Sequence, residues 1–123
     1  MPELKKHTIL VISNENAARA ALLRYLTISG FHTYVAETVE DAMRYLEAEP
    51  ALVLLDMVIS GKDGLLVLRD IHEKNDQVRI LLLTDQADIA KAQAALNEGA
   101  RDFVTKPIDL PALKRTLQVH LPH

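Results

Sequence analysis

The sequence predicts a three-layer α/β/α domain built on a doubly wound, five-stranded parallel sheet, with the strand-helix unit repeated five times. Three observations carry this. Short apolar runs alternate with amphipathic stretches of helical period along the whole chain. The runs themselves lack in-and-out alternation, as strands do when helices cover both faces of a parallel sheet. Finally, 123 residues, 49% hydrophobic and 25% charged, furnish one core and little beyond it, so residues 1–123 are read as one domain.

The first strand is Thr8-Ile9-Leu10-Val11-Ile12. A helix follows from Glu15 to Ser29, with Leu22, Tyr25 and Leu26 on one face and Gly30 as its stop. Thr33 to Ala36 forms the second strand, and Thr38 caps the helix that runs through Met43 and Leu46. Leu52 to Leu55 and Ile80 to Leu83 are the third and fourth strands. Asp88 is placed to cap Ile89 to Glu98 ahead of Gly99, and Asp102 to Val104 is the fifth strand. Asp109 is placed to cap a last helix whose Leu110, Leu113, Leu117 and Leu121 form one stripe. No linker, repeat or low-complexity tract divides the chain.

Composition narrows the function. Fourteen basic against 17 acidic residues give a net charge of -3, which points away from nucleic acid and anionic membranes and toward a protein partner or small ligand. With no cysteine, disulfide frameworks, thiolate zinc sites and cysteine nucleophiles are excluded. The apolar runs Ala51 to Leu55 and Ile80 to Leu83 fall far short of the roughly 20 residues of a membrane helix. Residues 1–6 show no signal-peptide pattern, so a cytoplasmic location is expected. His7, His32, His72, His120 and His123 have no metal-ligand spacing and read as structural or solvent-exposed.

In an open α/β sheet, ligands bind at the carboxyl ends of the strands. Those ends are polar here: Ser13-Asn14-Glu15, Asp56, Thr84-Asp85 and Thr105-Lys106-Pro107. A carboxylate, a hydroxyl and an ammonium around one cleft suit phosphoryl chemistry. Asp56 is the candidate nucleophile, Lys106 the counter-charge, and Thr84 a hydrogen-bond donor to a phosphoryl oxygen. Taken singly, each is more often a helix cap, a loop hydrogen bond or a solvated charge; on these strands together they point to a site.

At these residues the chain resembles the receiver domains of bacterial two-component response regulators, over essentially its whole length. The resemblance lies in Ile9-Leu10-Val11-Ile12 with Glu15 and Arg19, and in Leu54-Leu55-Asp56 with Asp63-Gly64. It continues in Ile80 to Leu83 with Thr84, and in Gly99-Ala100-Arg101-Asp102-Phe103-Val104-Thr105-Lys106-Pro107. It implies a flavodoxin-like fold and phosphorylation of Asp56 from a phosphohistidine on a sensor histidine kinase or phosphotransfer protein. It also implies Mg2+ as counterion and a switch made by Thr84 and Phe103. The face made by the fourth helix, fifth strand and fifth helix is then remodelled and offers a homodimer contact. Output passes to a further domain or a partner protein, since the 123 residues hold neither a DNA-binding nor a catalytic output.

The sequence departs from that family at the metal site. Where receivers carry two adjacent acids after the first strand, Ser13 and Asn14 stand here. Asp56, the Asn14 carbonyl oxygen and the Val58 backbone carbonyl remain as metal donors, so Mg2+ affinity is expected to be weak. Asp85 replaces the usual small residue after the switch threonine, and a carboxylate there repels phosphate or sits solvated ahead of the fourth helix. Glu15 reads as a first-turn acid, Arg19 as a surface residue, and Phe31 and Tyr45 as packing. Ser60, where proline is common, reads as loosening its loop, and Lys62 as a solvated loop lysine.

Two functions therefore stand: a receiver with impaired magnesium-dependent phosphorylation at Asp56, and a phosphorylation-independent pseudo-receiver that binds proteins. An enzyme is not expected. A phosphatase with an aspartyl nucleophile places a second Asp where Val58 stands, and a nucleotide-binding flavodoxin-like protein is not expected because no glycine-rich phosphate loop follows the first strand.

Overall fold

The computed structural model describes residues 7–59 and 61–121, Lys62 by its backbone alone. Ser60, the Lys62 side chain and His123 lie outside the described residues. Five strands, β1 (Thr8–Ile12), β2 (His32–Ala36), β3 (Leu52–Asp56), β4 (Arg79–Thr84) and β5 (Asp102–Thr105), form one parallel sheet. Its order is β2-β1-β3-β4-β5. The helices are α1 (Asn16–Ile28), α2 (Val39–Tyr45), α3 (Gly64–Lys74), α4 (Ile89–Asn97) and α5 (Leu110–His120). Among the described residues no helix is long and apolar enough to cross a membrane.

The three inner strands β1, β3 and β4 bury both faces, and their side chains alternate between two cores, whereas β2 at the edge leaves His32 and Tyr34 exposed. Leu10, Ile12, Val53, Leu55, Ile80 and Leu82 face Ala42, Val67, Leu68, Ile71, Ala92 and Ala95 of α2, α3 and α4. Ile9, Val11, Leu52, Leu54, Leu81 and Leu83 face Leu22 and Leu26 of α1 and Leu113 and Leu117 of α5. The unbroken apolar runs are thus a consequence of two-sided burial. The chain turns back between β1 and β3, and a crevice opens there at the carboxyl ends of the strands.

Strand ends extend past the apolar runs. Asp56 still pairs with Leu83, and Thr84 with Thr105, so both polar residues belong to the ladder. Their backbone bonds continue one residue beyond the point at which burial stops requiring an apolar side chain.

The capping expectations divide. Thr38 Oγ1 accepts from the Asp41 N–H at 3.1 Å, and Asp63 Oδ1 caps α3 by accepting from the Leu65 N–H at 2.9 Å. Asp88 and Asp109 occupy the N-cap positions of α4 and α5 but make no side-chain cap bond. A 3-10 turn, Gln86–Asp88, leads into α4, and Asp88 gives its own N–H to the Asp85 carbonyl. In α5, Pro111 removes one of the two N–H groups that a cap at Asp109 engages. The α5 stripe begins at Leu113, because Leu110 keeps 36% of its surface exposed. After α1, Gly30 takes φ +98° and the Phe31 N–H closes on the Leu26 carbonyl at 3.0 Å, so the helix stops where expected.

Between β3 and α3 the chain doubles back in a two-residue antiparallel ladder, Val58–Ile59 with Lys62–Asp63. Gly64 then donates its N–H to the Met57 carbonyl. A Cβ on Gly64 would lie 2.6 Å from that oxygen and 2.8 Å from the Met57 Cα, both backbone atoms directly after Asp56. The close approach requires glycine. Gly64→Ala is expected to lower unfolding free energy by about 1–3 kcal/mol, the usual cost of forcing extra volume into a packed site. Urea denaturation read by circular dichroism checks it; an unchanged midpoint would mean that the loop yields freely.

Candidate functional site

Asp56 closes β3, the central strand, with only 5% of its surface exposed. A buried carboxylate needs its charge answered nearby. Lys106 answers it from the loop after β5, with Nζ 2.9 Å from both Oδ1 and Oδ2. The lysine is held in place by its own backbone, whose N–H donates to the Thr84 carbonyl at 2.8 Å. The Lys106–Pro107 peptide that follows is cis. Burial alone pulls the Lys106 ammonium down, but hydrogen bonds to Asp56, the charge of Asp56, and the more distant charges of Glu15 and Asp85 outweigh it. The ammonium therefore stands above its ordinary value of 10.5.

Ser13 supplies the second partner. Its buried Oγ donates to Asp56 Oδ2 at 3.1 Å and accepts from the Glu15 N–H at 3.2 Å. The Ser13 carbonyl in turn accepts from Arg19 Nη1 at 3.0 Å. Arg19 is no plain surface residue: it also holds Asn16 Oδ1 at 2.8 Å and Glu37 Oε1 at 3.3 Å, tying the β1-α1 loop to the end of β2. Glu15 is more than a first-turn acid. It precedes α1 at the N-cap position and brings Oε1 to 3.5 Å from Lys106 Nζ. The available signal was helical spacing, since Arg19 lies three and four residues beyond Asn16 and Glu15, on the turn that faces the strand end.

Asn14, Glu15, Asp56, Val58, Asp85, Asp88 and Lys106 line one open cleft of about 330 Å³. Thr84 is buried beneath it, and its hydroxyl donates to the Asp85 carbonyl at 3.2 Å. Phe103 is half-buried and packs against the core on the α2-α3-α4 side. The structure thus brings Asp56, Lys106, Asn14 and Val58 together around the cleft, while Thr84 and Phe103 stand behind it.

The donor set does not fit a resident divalent cation. Both Asp56 oxygens bond an ammonium, one also a hydroxyl; Asn14 and Val58 add only neutral oxygens, and the rim acids Glu15, Asp85 and Asp88 share the cleft without converging on Asp56 as a metal-holding group. Among the described residues, no group of three or more His, Asp or Glu could hold a metal ion.

Removing the ammonium leaves Asp56 buried with one hydroxyl. Lys106→Met is expected to destabilise the fold by roughly 1–3 kcal/mol, the cost of an uncompensated polar partner that water still reaches in part. The pair also sets an alkaline limit. Because Lys106 is raised in the folded state, its stabilisation is complete below 10.5 and is lost as the pH climbs above it. Thermal melts from neutral to strongly alkaline pH should show a fall that is smaller in Lys106→Met; equal falls would remove Lys106 as its source.

Comparison with known proteins agrees with this geometry. The response regulator receiver domain family matches residues 9–118. The photosynthetic apparatus regulatory protein RegA of Rhodobacter capsulatus is 33% identical over 103 residues, covering 83% of this chain and 56% of that protein. The transcriptional regulatory protein AfsQ1 of Streptomyces coelicolor is 37% identical over 102 residues, covering 82% of this chain and 45% of that protein. The chain thus spans about half the length of these relatives. The N-terminal signal receiver domain of a two-component response regulator from Bacteroides fragilis superimposes with a TM-score of 0.90 at 28% identity, over 96% of this chain and 98% of that one. By its fold, its strand-end residues and this match over nearly its whole length, the chain belongs to the receiver domain family of two-component response regulators.

Proposed function

We propose that this receiver accepts a phosphoryl group on Asp56 from a sensor histidine kinase or phosphotransfer protein, and that its magnesium-dependent phosphorylation is impaired. The grip of Lys106 on both oxygens of Asp56 carries this reading. An ammonium at 2.9 Å is placed to move onto the incoming phosphoryl oxygens as charge develops there, leaving a carboxylate oxygen free to attack. Ser13 and Asn14, in place of acids, support the impairment, because neutral oxygens hold a hard cation poorly.

Once formed, the acyl phosphate carries about -1.5 to -2 charges where the carboxylate carried one, and brings new acceptors to the cleft. Thr84 is one side chain away. Turning its hydroxyl from the Asp85 carbonyl to the phosphoryl group would vacate space behind the cleft, into which Phe103 follows. The signal then reaches α4, β5 and α5, where Ala90 and Ala94 are exposed for a second copy of the chain. An output domain or separate partner reads that face.

The satisfied hydrogen bonding of Asp56 also favours a second reading. With its charge already answered by Lys106 and Ser13, the domain is stable as a phosphorylation-independent module that binds a protein partner.

Incubation with a small phosphodonor and millimolar magnesium, followed by intact-protein mass spectrometry, separates the two. The expected result is slow incorporation of one phosphoryl group that vanishes in Asp56→Ala. Incorporation should accelerate with magnesium in the variant carrying Ser13→Asp and Asn14→Asp. A wild type that stays unlabelled by every donor, kinase included, would instead establish the binding module.

A further inference from the structure

We propose that Ser13 is a positioning residue that does for Asp56 what a divalent cation could do, so that phosphoryl transfer to this protein proceeds without metal. The inference rests on the phosphoacceptor reading of Asp56 and adds how that carboxylate is oriented.

The Ser13 hydroxyl has one proton, and its direction is determined by its neighbours. The Glu15 N–H points into the oxygen at 3.2 Å and uses it as an acceptor, so the hydroxyl proton is committed to Asp56 Oδ2 at 3.1 Å. Ser13 is fully buried and has little freedom to turn elsewhere. Its backbone is anchored on both sides: the N–H donates to the Ala36 carbonyl at 3.0 Å, and the carbonyl accepts from Arg19 at 3.0 Å. Arg19 is itself held by Asn16 and Glu37. Thus Ser13 presents a fixed donor to one chosen oxygen.

Metal bound to a carboxylate answers charge and orients the group. Here the two tasks are divided, with Lys106 carrying the positive charge and Ser13 the orientation. The division also distinguishes the two oxygens. Oδ2 keeps the Ser13 hydroxyl throughout, whereas Oδ1 has Lys106 as its hydrogen-bond partner. When Lys106 shifts to the incoming phosphoryl group, Oδ1 becomes the nucleophile. An Oδ1 lone pair forms the new O–P bond as the donor's P–N bond breaks. The departing nitrogen keeps that electron pair and takes a proton from solvent, leaving an acyl phosphate on Oδ1 and a hydrogen-bonded carbonyl at Oδ2.

The full chain is incubated with phosphoramidate in EDTA and, separately, in millimolar magnesium, and incorporation is followed by intact mass. The wild type is expected to label at rates within about twofold in the two media. Ser13→Ala should label about tenfold more slowly in EDTA, equivalent to about 1.4 kcal/mol, and its melting temperature reports whether it remains folded. Ser13→Asp is the second variant, and its labelling should become dependent on magnesium, a change that a merely structural role for Ser13 does not produce. Wild-type labelling only with magnesium overturns the inference while leaving Asp56 as the acceptor; so does Ser13→Ala labelling like wild type in EDTA. Absence of wild-type labelling in both media, with a histidine kinase as donor as well as with phosphoramidate, overturns the acceptor reading and this inference with it.

Discussion

A carboxylate at the end of a strand whose every other residue is buried and apolar is costly unless a positive charge stands against it. In this domain Lys106 does so from two strands away, bridging both oxygens of Asp56. Much else about the cleft follows from that pair. Lys106 reaches Asp56 because its backbone N–H is bonded to Thr84 at the end of β4, which lies between the two. The ordered ends of β3, β4 and β5 and the position of the ammonium are therefore one structural fact.

The pair is held by the strand ends that flank it, and it is available for chemistry because it is incompletely sealed. Lys106 keeps 16% of its side chain exposed and faces a cleft rimmed by Glu15, Asp85 and Asp88. Asp56 first, and then Glu15 and Asp85, hold the lysine charged. Behind the cleft, Thr84 and Phe103 connect the same strand ends to the core shared by α2, α3 and α4.

How much of this was legible differs residue by residue. The strands could be read because two-sided burial writes unbroken apolar runs, and Thr38 could be read as a cap because its bond spans only three residues. Asp88 and Asp109 misled, since a 3-10 turn ending at the first and a proline after the second change what a cap can reach. Asp56 and Lys106 were recognisable as strand-end polar residues. Ser13 was legible only as a missing acid, and Arg19 only as an exposed helix residue, because nothing local records what either one touches. The contacts that give both their meaning depend on where β1 ends relative to β3 and β2.

By itself, then, the sequence determined the order of elements, the two-sided sheet and the polar strand ends, because hydrophobic period and chain direction act over a few residues. Only the tertiary structure decided that Ser13 donates to one oxygen of Asp56, 43 residues away, while Lys106, 50 residues away, holds both. The physical reason is register. Ile12 pairs with Leu55, Asp56 with Leu83 and Thr84 with Thr105, and a slip of one residue in any of these would turn a side chain from the cleft to the opposite face.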